Sequence, residues 1–176
     1  VRANNDAAAM QTAQKATGYV GSLQKLDVVE AFTLKKDGQK IPVDASAIYD
    51  QPAPGSPQVA MFTDARQKTI VFPQFAAGDT AVYTLKLTSQ PYFPGTFALQ
   101  DFFPPAAEFD DVRETIVAPK ELPLQTESDG VDFTRKQAGA NVIYTWRFKN
   151  LHPSPNELVA ISPVEHMPRF FVTSFK

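Results

Sequence analysis

Proline placement sets the first limit on this chain. Proline has no N–H to give to a ladder and breaks a helix interior, so fifteen of them spread over 176 residues leave room only for short elements. The proline-free windows are residues 1–41, 58–72, 74–90, 106–118, 124–152 and 169–176, most of them one or two strands long. Within these windows the apolar residues recur at every second position, as a half-buried strand requires. Residues 81–89 set Ala81, Tyr83, Leu85 and Leu87 against Val82, Thr84, Lys86 and Thr88. Residues 142–148 set Val142, Tyr144, Trp146 and Phe148 against Ile143, Thr145 and Arg147.

A third strand over 26–34 carries Leu26, Val28, Phe32 and Leu34 on one face, interrupted by Glu30. It runs into Asp37-Gly38, whose tolerance of positive φ predicts a hairpin turn into Lys40-Ile41-Pro42-Val43. Asp129-Gly130 and Gly139-Ala140 punctuate a second hairpin zone, and Gly78-Asp79 leads into the strand at 80. Weaker strands are expected near 58–63, 68–72, 112–117, 131–136 and 169–175. Helix signals are confined to the N-terminus, where Asn4, Asn5 or Asp6 can cap a turn or two through Ala7 to Met10, with Gly18 as a stop. The pattern predicts an all-β protein of antiparallel sheets packed face to face. It also predicts a single domain over 1–176, with 1–22 a short helix or edge strand and 23–176 the sandwich.

Composition narrows the chemistry. Seventeen basic and nineteen acidic residues give a net charge of −2 with neither sign gathered in a block, so nucleic acid is not an expected partner. Without cysteine there is no disulfide or thiolate nucleophile, and two histidines are few for a metal site. No apolar stretch approaches the roughly 20 residues that span a bilayer. The first residues are polar and the first is not Met, which suggests a processed product or a fragment of a longer chain.

The reactive-residue patterns are equally sparse. A Gly-x-Ser-x-Gly turn is absent, His152 lies in a proline-bounded loop, and His166 follows Glu165 without a second histidine at helical spacing. Glu108, Asp110, Asp111 and Glu114 form the densest acidic group, but adjacent carboxylates in a strand point to opposite faces and read as a solvated rim. An acid-base hydrolase would need two carboxylates facing one cleft, one of them with a raised pKa. No catalytic, metal or cofactor residue is therefore expected. The run from Pro91 to Pro105 stands apart, with five aromatics in fifteen residues. Tyr92, Phe93, Phe97, Phe102 and Phe103 are the candidate interface, the alternative being that these rings fill the ends of the sandwich. Trp146, in a core-patterned strand, is expected to be structural.

Five segments together resemble a known family. They are Leu26 to Gly38, Met61 to Pro73, Ala77-Gly78-Asp79-Thr80, the turn Phe93-Pro94-Gly95-Thr96-Phe97, and Tyr144-Thr145-Trp146. In order and spacing they are similar to the domain of unknown function that precedes the transglutaminase-like, papain-like cysteine domain in bacterial exported proteins. The resemblance implies an immunoglobulin-like antiparallel β-sandwich that is itself non-catalytic and sits upstream of a Cys-His-Asp domain. It also implies a strand near 13–20 and a final strand at Phe170 to Lys176, with a periplasmic or cell-envelope location. None of that domain's catalytic positions exists among these residues. The expected role is an accessory module that docks or positions the catalytic domain or its substrate, with binding of an envelope glycan or peptide as the alternative.

Overall fold

The structure is a computed structural model that describes residues 1–54, 64–91, 93–154 and 167–175. The strand expected at 58–63 lies outside the described residues. The protein is built mainly of strands in several antiparallel sheets, with one short α-helix, an all-β sandwich-like fold. The chain divides into two compact units, Val1–Tyr92 and Phe93–Lys176.

The first unit begins with α1 (Asp6–Thr12), whose N-cap Asn5 accepts from the Ala8 N–H at 2.8 Å through its side chain. Strand β1 (Gln14–Val20) follows at once, so Gly18 lies inside a strand rather than ending the helix. The segment 1–22 is thus both helix and edge strand. β1 pairs with β5 (Ala65–Val71), which also pairs with β4 (Ile48–Pro52), giving a sheet ordered β1-β5-β4. The second sheet is β3-β2-β6, from β2 (Gln24–Leu34), β3 (Lys40–Pro42) and β6 (Thr80–Ser89). Residues 1–3 lengthen it: Ala81 N–H donates to Val1 O at 2.8 Å and Gly78 N–H to Ala3 O at 2.7 Å. The Asp37-Gly38 hairpin forms as expected, with Gly38 at φ +90°.

Between the layers lie buried Ile70, Phe72 and Ala81, with Val28, Ala31, Val43, Phe75, Tyr83 and Leu85 packed around them. Ala81, Tyr83 and Leu85 face inward as the alternation predicts, while Leu87 at the strand's end is 51% exposed. β2 departs from expectation. Its pairing with β6 runs Val28 to Leu85, then Glu30 to Thr84, so Val29 is an extra residue, a β-bulge. Strict alternation would turn the Glu30 carboxylate inward beside Val28; the bulge turns it out and resets the phase. Ala31 and Thr33, paired with Tyr83 and Ala81, then share the core side with Val28. Phe32 falls on the opposite face, where Lys40 Nζ sits 4.8 Å from its ring centroid.

The second unit contains β7 (Ala98–Phe102), β8 (Phe109–Pro119), β9 (Gln125–Asp129), β10 (Asp132–Ala138), β11 (Asn141–Asn150) and β12 (Arg169–Thr173). They form two sheets, β10-β11-β8 and β7-β12-β9. Val142, Tyr144 and Trp146 of β11 are buried, and Trp146 stacks on Phe170 of the other sheet at 4.4 Å and 15°. Its indole N–H donates to Ser128 Oγ at 2.8 Å, so its one polar atom is satisfied. Gly139-Ala140 closes the β10–β11 hairpin. Gly130 instead joins β9 to β10, strands of different sheets, and so turns a corner between layers.

Candidate functional site

The aromatic run opens on a turn. Pro94 fixes φ at its second position and Gly95 takes φ +73° at its third, the pairing a type II turn demands. Thr96 closes it, its N–H and its hydroxyl both donating to Phe93 O at 3.1 and 2.6 Å. Phe93 is left 65% exposed at the tip. Beyond the turn, Ser174 Oγ accepts from Phe97 N–H at 2.8 Å and Ser174 N–H donates to Phe97 O at 2.9 Å, tying the segment to the chain after β12.

The five candidate aromatics part company here. Phe103 is buried, stacked on Phe148 at 4.8 Å and edge-on to Phe109 at 5.9 Å. Phe97 packs against the same core. Phe102 points the other way, as alternation with Phe103 expected, and lies half-buried with its ring edge-on to Phe171 at 5.8 Å. Tyr92 lies outside the described residues. Phe93 and Phe102 therefore keep a surface, while Phe97 and Phe103 serve the core.

The β12–β7 register extends that surface. Arg169 pairs with Phe102, Phe171 with Gln100, and Thr173 with Ala98, so these six share the outer face of the sheet. An open cleft of about 330 Å³ is lined by Ala98, Leu99, Gln100, Phe171, Val172 and Thr173, with Leu99 43% exposed. Phe171 is the contributor the sequence reading did not single out. The signal was the alternation of Phe170, Phe171 and Val172, of which only Phe171 falls out of phase with the core.

Ionisable groups make structural constellations. Asp79, 1% exposed, accepts from Lys35 Nζ at 2.5 Å, Lys36 N–H at 3.1 Å and Ala76 N–H at 2.9 Å. The Lys35 bond, then the backbone bonds, hold its carboxyl below the usual carboxylate range against the opposing effect of burial. Asp50 accepts from Tyr19 Oη at 2.8 and 2.9 Å and pairs with Arg66 at 2.9 Å and Lys68 at 3.3 Å, and it too is lowered, the tyrosine bond being the largest cause.

Of the acidic group, Glu108, Asp110 and Asp111 are exposed, as is His152; His166 lies outside the described residues. Glu114 is the exception. Its pairing with Trp146, and that of Asp101 with Phe170, put both carboxylates on the faces the two sheets turn toward each other. Burial first, and then Asp101, raise the Glu114 carboxyl. Neither residue lines the cleft on β7 and β12. Among the described residues, no three His, Cys, Asp or Glu side chains gather as a metal site would need, and no helix is long and apolar enough to cross a membrane.

Layered antiparallel sheets with an exposed aromatic turn, and the buried Asp79 held in an ion pair with Lys35, define a β-sandwich module. Residues 1–155 match the family described as Domain of Unknown Function with solved-structure structure (DUF3857), and the chain belongs to that family. The fold is similar to the crystal structure of a putative protease from Parabacteroides distasonis ATCC 8503, with a TM-score of 0.85 at 16% identity. That likeness covers 97% of this chain and 35% of the other, so this chain spans about a third of its length. No curated protein matches the chain.

Proposed function

We propose that this chain is a non-catalytic accessory module of a larger protease-like protein, docking or positioning a neighbouring catalytic domain or its substrate. The observation that carries this reading is the 35% share of the Parabacteroides chain that the fold accounts for, which leaves most of that protein to other parts. The outer face of β7 and β12, with half-buried Phe102 and Phe171, is the docking surface, and the exposed Phe93 of the preceding turn adds to it, because a partly exposed apolar strip suits a partner. On this reading the neighbouring domain is transglutaminase-like, with a Cys-His-Asp site, and the protein works in the periplasm or at the cell envelope.

Hydrogen exchange tests it. The 176-residue chain is compared with the parent protein that continues beyond it. Slower amide exchange over 98–102 and 169–173 in the parent is the expected result. Equal exchange over those strands in both, or a parent sequence without a cysteine-bearing catalytic domain, removes the reading.

A further inference from the structure

Sheet β1-β5-β4 of the first unit has two unlike faces. Its register groups Gln14 with Val71, Ala16 with Thr69 and Tyr49, and Gly18 with Gln67 and Gln51. Strand alternation puts these eight residues on one side. The charged residues of the three strands, Lys15, Asp50, Arg66 and Lys68, all fall on the other, where Lys68 Nζ donates to Leu26 O at 2.5 Å and Asp50 draws in Tyr19 and Arg66. The uncharged side holds an open cleft of about 470 Å³, lined by every residue of that group except Gly18.

The lining has a definite chemistry. Glutamine amides and a threonine hydroxyl each donate and accept, so they match a ligand that presents both kinds of group at close spacing. Gln67 Nε2 already donates to Thr69 Oγ1 at 3.2 Å, which holds the central strand's polar groups in line. On one rim Tyr49, a residue 53% exposed, offers its ring; on the other Ala16 and Gly18 keep the edge strand low, leaving room above the sheet. Among the described residues that line the cleft there is no cation to hold an anion. A peptide that adds as a strand uses a sheet edge rather than a face, and the cleft has no deep apolar pocket to hold its side chains. A ring with apolar C–H faces and equatorial hydroxyls uses both the tyrosine and the amides.

We propose that this face binds a neutral glycan, with Tyr49 stacking on a sugar ring and Gln14, Gln51, Gln67 and Thr69 reading its hydroxyls. The site is separate from the β7–β12 docking surface and does not rest on it.

The test titrates the ¹⁵N-labelled 176-residue chain with cellotetraose and with the tetramer of N-acetylglucosamine. Shift changes confined to residues 14–18, 49–51 and 67–71, including the glutamine side-chain NH₂ groups, are the expected outcome with at least one sugar. Tyr49→Ala then weakens binding about tenfold without moving the thermal midpoint, and Tyr49→Phe, which keeps the flat ring, retains affinity. Silence with both sugars up to about 10 mM, shifts confined to other strands, or unchanged affinity in Tyr49→Ala overturns the proposal. It is equally overturned if an unfolded peptide moves these amides and neither sugar does.

Discussion

At the scale of single residues, two buried groups carry the clearest consequences. Trp146 is 1% exposed and touches Phe170, Tyr144 and Phe133, at 4.4, 6.4 and 5.1 Å between ring centroids. Trp146→Ala opens a cavity and leaves Ser128 without its indole donor, so chemical denaturation should register a loss of about 3–5 kcal/mol. A loss under about 1 kcal/mol would mean that the ring is not the centre of that core. Asp79 speaks through pH. Its carboxyl is held low by Lys35 and two backbone donors, so the charged form is favoured in the folded state. That stabilisation is complete well above the ordinary carboxylate value of about 3.9 and is lost as pH falls through the lowered one. Asp79→Asn should therefore be less stable than the parent near neutrality, the gap closing in acid. Urea midpoints taken across that range check it, and a gap of constant size would contradict the assignment.

Elements depend on where their turns sit. Gly130 and Gly139 both hold positive φ, at +66° and +62°, where any side chain is strained. They differ in surroundings. A Cβ at Gly139 meets nothing within 4 Å, whereas one at Gly130 comes to 3.1 Å from Pro168 Cβ and 3.2 Å from its Cγ. Gly139→Ala should cost about 1 kcal/mol, and Gly130→Ala distinctly more, as read from thermal midpoints of the two variants; equal costs would show that the corner yields freely. Strand content was legible wherever both alternation and burial were strong, as in Val142, Tyr144, Trp146 and Phe148. It was not legible in β4, β7 and β9, which are short outer strands: a segment such as Gln125–Asp129 is polar at every position and mostly exposed. The β2 bulge stayed hidden for a different reason. One added residue shifts the inside–outside phase, and Glu30 in an otherwise apolar series was its only trace.

For the whole molecule, the sandwich architecture could be read from proline spacing and period-two patterning, whereas the division near residue 92 could not. Both units are built of short strands with the same turn chemistry, so composition changes nowhere between them. The aromatic turn was visible as a cluster, but which rings face out depends on the β7–β12 register, a pairing about seventy residues apart in sequence. The uncharged face of β1-β5-β4 is scattered over three separated segments and takes shape only once those strands align. One further consequence comes from the stacked indole. As the sole tryptophan, Trp146 makes its own half of the chain luminous and leaves the other dark. Intrinsic fluorescence excited at the indole band is thus a built-in gauge of residues 93–176, and infrared or circular dichroism is the natural complement for residues 1–92.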